Sequence, residues 1–177
     1  MNGNVFPLCA VLLCTVSKEA KPRSRLVDTM LNENNRPKFH TLPASRKVKD
    51  ITFNNKVSLT YLFQSALRPI SIEGTLSALN DFELDQDWIE YDDFRRRYVV
   101  LGGSSGKHIS TIETLRKKRD QQPKGVELVR PRSFIGYKFS QVDRISFYSV
   151  KKGGFAIRTL YKKESQHDDC LRSIHVP

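Results

Sequence analysis

Three stretches of the chain hold residue types that could do chemistry. Gly102-Gly-Ser-Ser-Gly-Lys107 has the glycines and the lysine of a phosphate-binding loop. Such a loop needs four residues between its glycines and then Lys-Ser/Thr, so that backbone N–H groups wrap the phosphates. Here Leu101 stands where the first glycine belongs and His108 replaces Ser/Thr, so the stretch reads as a tight turn. Acids at 81, 83, 85 and 87 alternate as in a calcium loop. The sixth position is Gln86 where a sharp turn requires Gly, and the twelfth is Asp92 where a bidentate Glu is required. His167-Asp-Asp-Cys170 and His175 carry metal-type ligands. Zinc wants four ligands with Cys/His pairs set by turns, and the missing one would have to come from His40, His108 or Cys9 and Cys14. No nucleophile stands beside a base, so the expectation is no catalytic residue, no metal and no cofactor.

The charges are more informative. The formal net charge is +11. Residues 18–49 carry nine Lys/Arg against three Asp/Glu, and residues 94–177 carry nineteen against seven. Residues 81–93 carry seven acids and no base. A field so divided draws polyanions to the basic parts. The candidate polyanion-binding residues are Arg46, Lys47 and Lys49; Arg95, Arg96 and Arg97; Arg116, Lys117, Lys118 and Arg119; and Lys151 with Lys152. Most sit at turns and element ends, where they can meet phosphate without reading bases. The acids Asp85, Asp87, Asp92 and Asp93 are candidates for self-association, as an acidic face docking on the basic turns of a second copy.

These groups need elements to position them. Residues 81–97 read as one amphipathic helix, with Leu84, Trp88, Tyr91 and Phe94 at helical spacing. Asn80 or Asp81 caps its start, Glu83 suits the positive end, and Arg95 to Arg97 suit the other. Val57 to Phe63 and Ile70 to Leu76 alternate as strands, and Tyr98 to Leu101 reads as a third. Ile112 to Arg119 reads as a second helix, with Ser110-Thr-Ile-Glu113 at capping-box spacing and Pro123 as its stop. Val126 to Arg130 and Phe134 to Phe139 read as short strands, and 145–150 with 155–161 as a hairpin.

The whole reads as an α+β protein, a small antiparallel sheet with two inserted helices. Its parts are an apolar segment at 1–17, a basic flexible arm at 18–49 with a short helix around Leu26 to Leu31, a single domain at 50–163 and a loose polar tail at 164–177. Val5 to Val16 is too short to span a bilayer as a helix and has the length of a signal-peptide core, with cleavage after Ser17 as one outcome. Packing of this apolar tip on the core, a partner or a membrane surface is the other. The three cysteines make no disulfide framework.

In size, charge and element order over Lys18 to Lys163 the chain resembles rhabdovirus matrix proteins. The strand pair Lys56-Val-Ser-Leu-Thr-Tyr-Leu-Phe63 and Ile70-Ser-Ile-Glu-Gly-Thr-Leu76 is similar to the start of such a domain, and the short length to the plant-infecting, cytorhabdovirus-like members. Pro-Pro-x-Tyr and Pro-Thr/Ser-Ala-Pro budding motifs are absent from the chain. The resemblance implies a non-enzymatic virion protein of the host cytoplasm. Such a protein would self-associate and bridge the nucleocapsid, with its RNA, to the anionic inner face of the envelope membrane and the viral glycoprotein. The alternative is a secreted basic protein that binds an acidic polysaccharide or a receptor.

Overall fold

The computed structural model describes residues 10–62, 68–100, 111–121, 126–150, 156–163 and 170–175. Among the described residues, nine strands and four helices follow one another: β1 Ala10–Val16, β2 Pro22–Val27, β3 Met30–Leu31, β4 Pro37–Thr41, α1 Arg46–Phe53, β5 Lys56–Leu62, β6 Ile70–Ala78, α2 Asp81–Glu90, α3 Asp93–Val100, α4 Ile112–Asp120, β7 Ile135–Val150, β8 Ala156–Lys163 and β9 Cys170–His175. Every strand pairing is antiparallel. The order is β2-β1-β5-β6-β7-β4-β3, with β8 paired to β7 and β9 to β8. The α+β expectation of a mainly antiparallel sheet with helices holds.

Of the apolar segment, Ala10–Val16 form β1, paired to β2 on one side and β5 on the other, so the described part packs on the core, and residues 5–9 lie outside the described residues. Val11, Leu13, Thr15 and Ser17 alternate inward. A strand with apolar residues on both faces is a continuous apolar run, which periodicity alone cannot separate from other buried segments. The flexible arm is likewise corrected, because β2, β3, β4 and the start of α1 all fall within 18–49. Its short helix around Leu26 to Leu31 is strand on either side of a break. Strand β2 turns Arg23, Arg25 and Val27 to its more buried face. The two arginines meet the buried carboxylate of Asp50 on α1, at 2.7 and 3.1 Å. Ion pairing and the backbone ladder therefore order a stretch whose apolar content is too low to do so.

The main core is Val11, Leu13, Phe39, Ile51, Val57, Leu59, Leu76 and Phe139. A second cluster of Leu79, Leu84, Trp88 and Phe134 lies under α2. The start of α2 is the expected one. Asn80 accepts from the Glu83 N–H while the Glu83 carboxylate accepts from the Asn80 N–H. The single helix over 81–97 is broken, however. Tyr91 is extended, and the Asp92 side chain accepts from the Arg95 N–H at 2.7 Å, which starts α3. Tyr98 to Val100 are the end of α3 rather than a strand. Helix α4 matches its expected span, although Thr111 caps it without a side-chain bond. The capping residue Ser110 and the loop at 102–107 lie outside the described residues.

Residues 126–130 form no strand. The Leu128 carbonyl instead accepts the Trp88 indole N–H at 2.8 Å. The tail contains β9, which extends the sheet beside β8.

Strand β6 follows β7 through two register shifts, at Glu73/Gly74 and Thr75/Leu76. A Cβ at Gly74 would lie 2.1 Å from the backbone oxygen of Gln141. Backbone cannot yield as a side chain can, so Gly74→Ala should cost about 2–3 kcal/mol. We expect a melting temperature lower by about 5–10 °C in a calorimetric scan. A melting temperature unchanged from the parent would show that the bulge relaxes freely.

Candidate functional site

Strand β4 carries Lys38 and His40 on one face and Phe39 on the other, because successive strand residues alternate. Phe39 enters the main core. Lys38 and His40 face the end of α2, where Asp87 lies in the last turn and Tyr91 is the extended residue that closes the helix. Asp87 is 2% exposed. Its carboxylate accepts from the Lys38 ammonium and, at 2.8 Å, contacts His40 Nε2. The other ring nitrogen of His40 lies 2.9 Å from the Tyr91 hydroxyl. The imidazole stacks on Phe134 with centroids 4.5 Å apart. Gly136 permits this approach, since a Cβ there would fall 2.9 Å from His40 Cδ2 and 2.6 Å from a Leu79 methyl.

Burial holds the His40 pKa below the usual histidine value, although Asp87 pulls the other way; Lys38 reinforces the depression. Tyr91 is pushed up to about 12, first by burial and then by Asp28, with Arg95 opposing.

His40 and Tyr91 form one wall of a cleft of about 450 Å³. Phe94, Tyr98, Val99 and Phe134 supply much of its apolar lining, and Asp28 and Arg95, 3.6 Å apart, line it too. Lys47, in the first turn of α1, also lines it. Its ammonium donates to Thr41 Oγ1 at 3.0 Å and to Ser45 Oγ at 3.3 Å. Burial lowers the Lys47 pKa, and the nearby Arg25 guanidinium lowers it further. Arg25 is itself fixed by Thr15 and Asp50. The first turn of α1 has no acid, and Ser45 makes no side-chain cap. Cations at that end oppose the helix dipole, and an anion there would be favoured by both.

The candidate basic residues thus divide. Lys47 lines the cleft, while Arg46 and Lys49 lie on the exposed side of α1. Arg96 donates to the carbonyls of Trp88 and Ile89 at the end of α2, and Arg97 pairs with Asp93 at 2.6 Å. Arg95 sits 5.5 Å over the Tyr91 ring. Arg116, Lys117, Lys118 and Arg119 are on α4, where Arg116 pairs with Glu113 and Arg119 with Asp120. Lys151 and Lys152 lie outside the described residues. Of the candidate self-association acids, Asp85 pairs with Arg130, Asp92 caps α3 and Asp93 holds Arg97. Asp87 is turned inward, where it cannot meet a second copy. Sequence reasoning names His40 only as a spare metal ligand and Tyr91 only as an apolar position. The signal that joins them is Lys38-x-His40 at strand spacing against Asp87-x-x-x-Tyr91 at helix spacing.

Comparison with known proteins replaces the viral reading. The curated pyridoxine/pyridoxamine 5'-phosphate oxidase of Leptospira biflexa is 28% identical over 164 residues, covering 89% of this chain and 75% of that protein. The enzyme of the same description from Bacteroides thetaiotaomicron is 25% identical, over 91% and 76%. Among solved structures, PhzG of Burkholderia lata, in complex with tetrahydrophenazine-1-carboxylic acid, superposes with a TM-score of 0.81 at 21% identity, covering 96% of this chain and 82% of that one. A pyridoxamine 5'-phosphate oxidase-related, FMN binding protein of Nostoc punctiforme gives 0.77 at 16% identity, over 98% and 90%.

The matrix-protein resemblance is therefore wrong, as are the non-enzymatic role and the nucleocapsid, membrane and glycoprotein partners drawn from it. The secreted binding protein has no support either. Size, charge and element order misled because a basic chain and an antiparallel sheet are common to many unrelated proteins. The model of the pyridoxamine 5'-phosphate oxidase family matches residues 9–133, and the chain belongs to that family.

Proposed function

We propose that this chain is an FMN-binding oxidoreductase and that the cleft between Lys47 and Tyr91 is its flavin site. The observation that carries the reading is Lys47. It is a half-buried cation bonded to two hydroxyls and, among the described residues, to no carboxylate. A phosphate monoester would satisfy it, and the Thr41 and Ser45 hydroxyls and the field of Arg25 favour the same anion. The rest of the cleft suits a flat ring, with Phe94, Tyr98, Val99 and Phe134 along it. The volume lies within the range of cofactor sites, about 300–1,000 Å³. Family membership supports the same cofactor, as does the fold shared with the FMN binding protein of Nostoc punctiforme.

When bound, FMN supplies two-electron oxidation and reduction. The chain's own residues bind and orient. Lys47, Thr41 and Ser45 would hold the phosphate, the aromatic side chains would exclude water from the ring, and His40 with Tyr91 offers a polar edge beside it. The names of the curated relatives make pyridoxine 5'-phosphate and pyridoxamine 5'-phosphate the first substrates to assay.

The test is a titration of the flavin-free chain with FMN and with riboflavin, followed by flavin fluorescence. We expect FMN to bind at least about tenfold tighter, since riboflavin lacks the phosphate. Binding of neither would end the flavin reading.

A further inference from the structure

We propose that Asp87, His40 and Tyr91 form a proton relay in the cleft wall, in which Tyr91 meets the reacting molecule and accepts the proton of its N–H or O–H group. The relay rests on the cleft being a ligand site, as the flavin reading holds. Its own geometry fixes the rest. A carboxylate only accepts, so the 2.8 Å contact with Asp87 places the imidazole proton on His40 Nε2. A neutral imidazole has one N–H, which leaves Nδ1 an acceptor. The 2.9 Å bond to Tyr91 is then donated by the phenol. The single proton of Tyr91 is committed inward, and its oxygen keeps its acceptor capacity for a donor in the cleft.

The neutral imidazole follows from its surroundings. The charged and titratable groups facing His40 are Asp87 on α2, Lys38 on its own strand, Asp28 between β2 and β3, and Tyr91. Lys38 already offsets the charge of Asp87, so the buried ring need not be protonated to balance it. Those facing Tyr91 are Asp28, Asp87 and Arg95 on α3. Strand β7 brings Gly136 to His40, and the segment before it brings the apolar ring of Phe134.

In the step itself the X–H bond of the ligand breaks and its proton goes to Tyr91 Oη. The O–H bond of Tyr91 breaks in concert, and that proton goes to His40 Nδ1. The ligand keeps the electron pair as X⁻, Tyr91 ends as a neutral phenol, and His40 becomes an imidazolium held by Asp87. Because Tyr91 is never left as a phenolate, its high pKa does not oppose the transfer. The reverse sequence returns the proton.

The probes are p-nitrophenol and p-nitroanisole, which differ in the O–H, added to the full chain at a pH where the phenol is un-ionised. Nitrogen-15 NMR of the imidazole reports the proton positions. In the free protein at neutral pH we expect Nε2 protonated and Nδ1 bare. The phenol should bind about tenfold tighter than its methyl ether and shift Nδ1 toward its protonated value, while the ether leaves it unchanged. Tyr91→Phe should bring the two probes to parity. A free protein with Nδ1 protonated, equal affinity for the probes, or binding of neither overturns the relay. The proton positions are read on the parent chain, so the proposal stays open to refutation if Tyr91→Phe fails to fold. An FMN titration of the same samples tests the flavin reading separately.

Discussion

Replacing Lys47 by Met should weaken FMN binding by about 100-fold and leave riboflavin binding almost unchanged. The lost interaction is a charge-assisted hydrogen bond to phosphate, worth about 1.5–3 kcal/mol. The variant should fold at least as well as the parent when no flavin is present, because a desolvated ammonium next to Arg25 costs stability. The pH dependence has a definite sign. Burial and Arg25 hold the Lys47 pKa below that of an ordinary lysine. Between that lowered value and the usual one, the unfolded chain binds more protons than the folded chain. Stability from this group therefore rises with pH in that window, whereas FMN affinity falls as Lys47 loses its charge. Lys47→Arg keeps a charge that does not titrate, so its FMN affinity should be flat through the same window. Fluorescence titrations across the alkaline range read both effects. An FMN affinity in Lys47→Met equal to the parent's would remove Lys47 from the phosphate site.

Much of the secondary structure is legible before any coordinates are seen. Strands β5 and β6 show as period-two alternation, α2 starts after the Asn80 cap, and α4 and the β7–β8 pair lie where the patterns put them. The misses have physical causes. Strand β1 is apolar on both faces and mimics a signal core. Strand β2 turns arginines inward, so it looks solvated until Asp50 is placed beneath it. The end of α3 contains Tyr98, Val99 and Val100, whose β-propensity is overridden by the helix that Asp92 starts. At the site, Lys47, Asp87 and Arg95 are picked out by charge alone and assigned to external partners. Their neighbours His40 and Tyr91 carry no local signature, since the contact joins residues 51 apart in sequence. A strand face and a helix face must be docked before the pair exists.

Asp50 is where fold and site share one residue. Its carboxylate is 2% exposed and takes bonds from Thr15, Arg23 and Arg25 at 2.8, 2.7 and 3.1 Å. Burial raises its pKa, but the Thr15 hydroxyl and the two guanidinium groups outweigh that and hold it below the usual carboxylate value. A group shifted in this direction contributes stability at neutral pH that is lost as pH falls through the lowered value. Asp50→Asn keeps the shape and removes the charge. It leaves two partly buried arginines side by side on one face of β2, with Lys47 close by, and should cost about 3 kcal/mol. Part of the acid limb of the stability curve should vanish with it. The same change should raise the positive potential at the start of α1. FMN affinity per folded molecule should then hold or rise even as the melting temperature falls by about 6–12 °C. Chemical denaturation at several pH values, paired with FMN titration below the melting transition, separates the two effects. If stability and FMN affinity both collapse, Asp50 positions Arg25 for the phosphate. If stability is unchanged at neutral pH, the β2 arginines are held by the strand ladder alone.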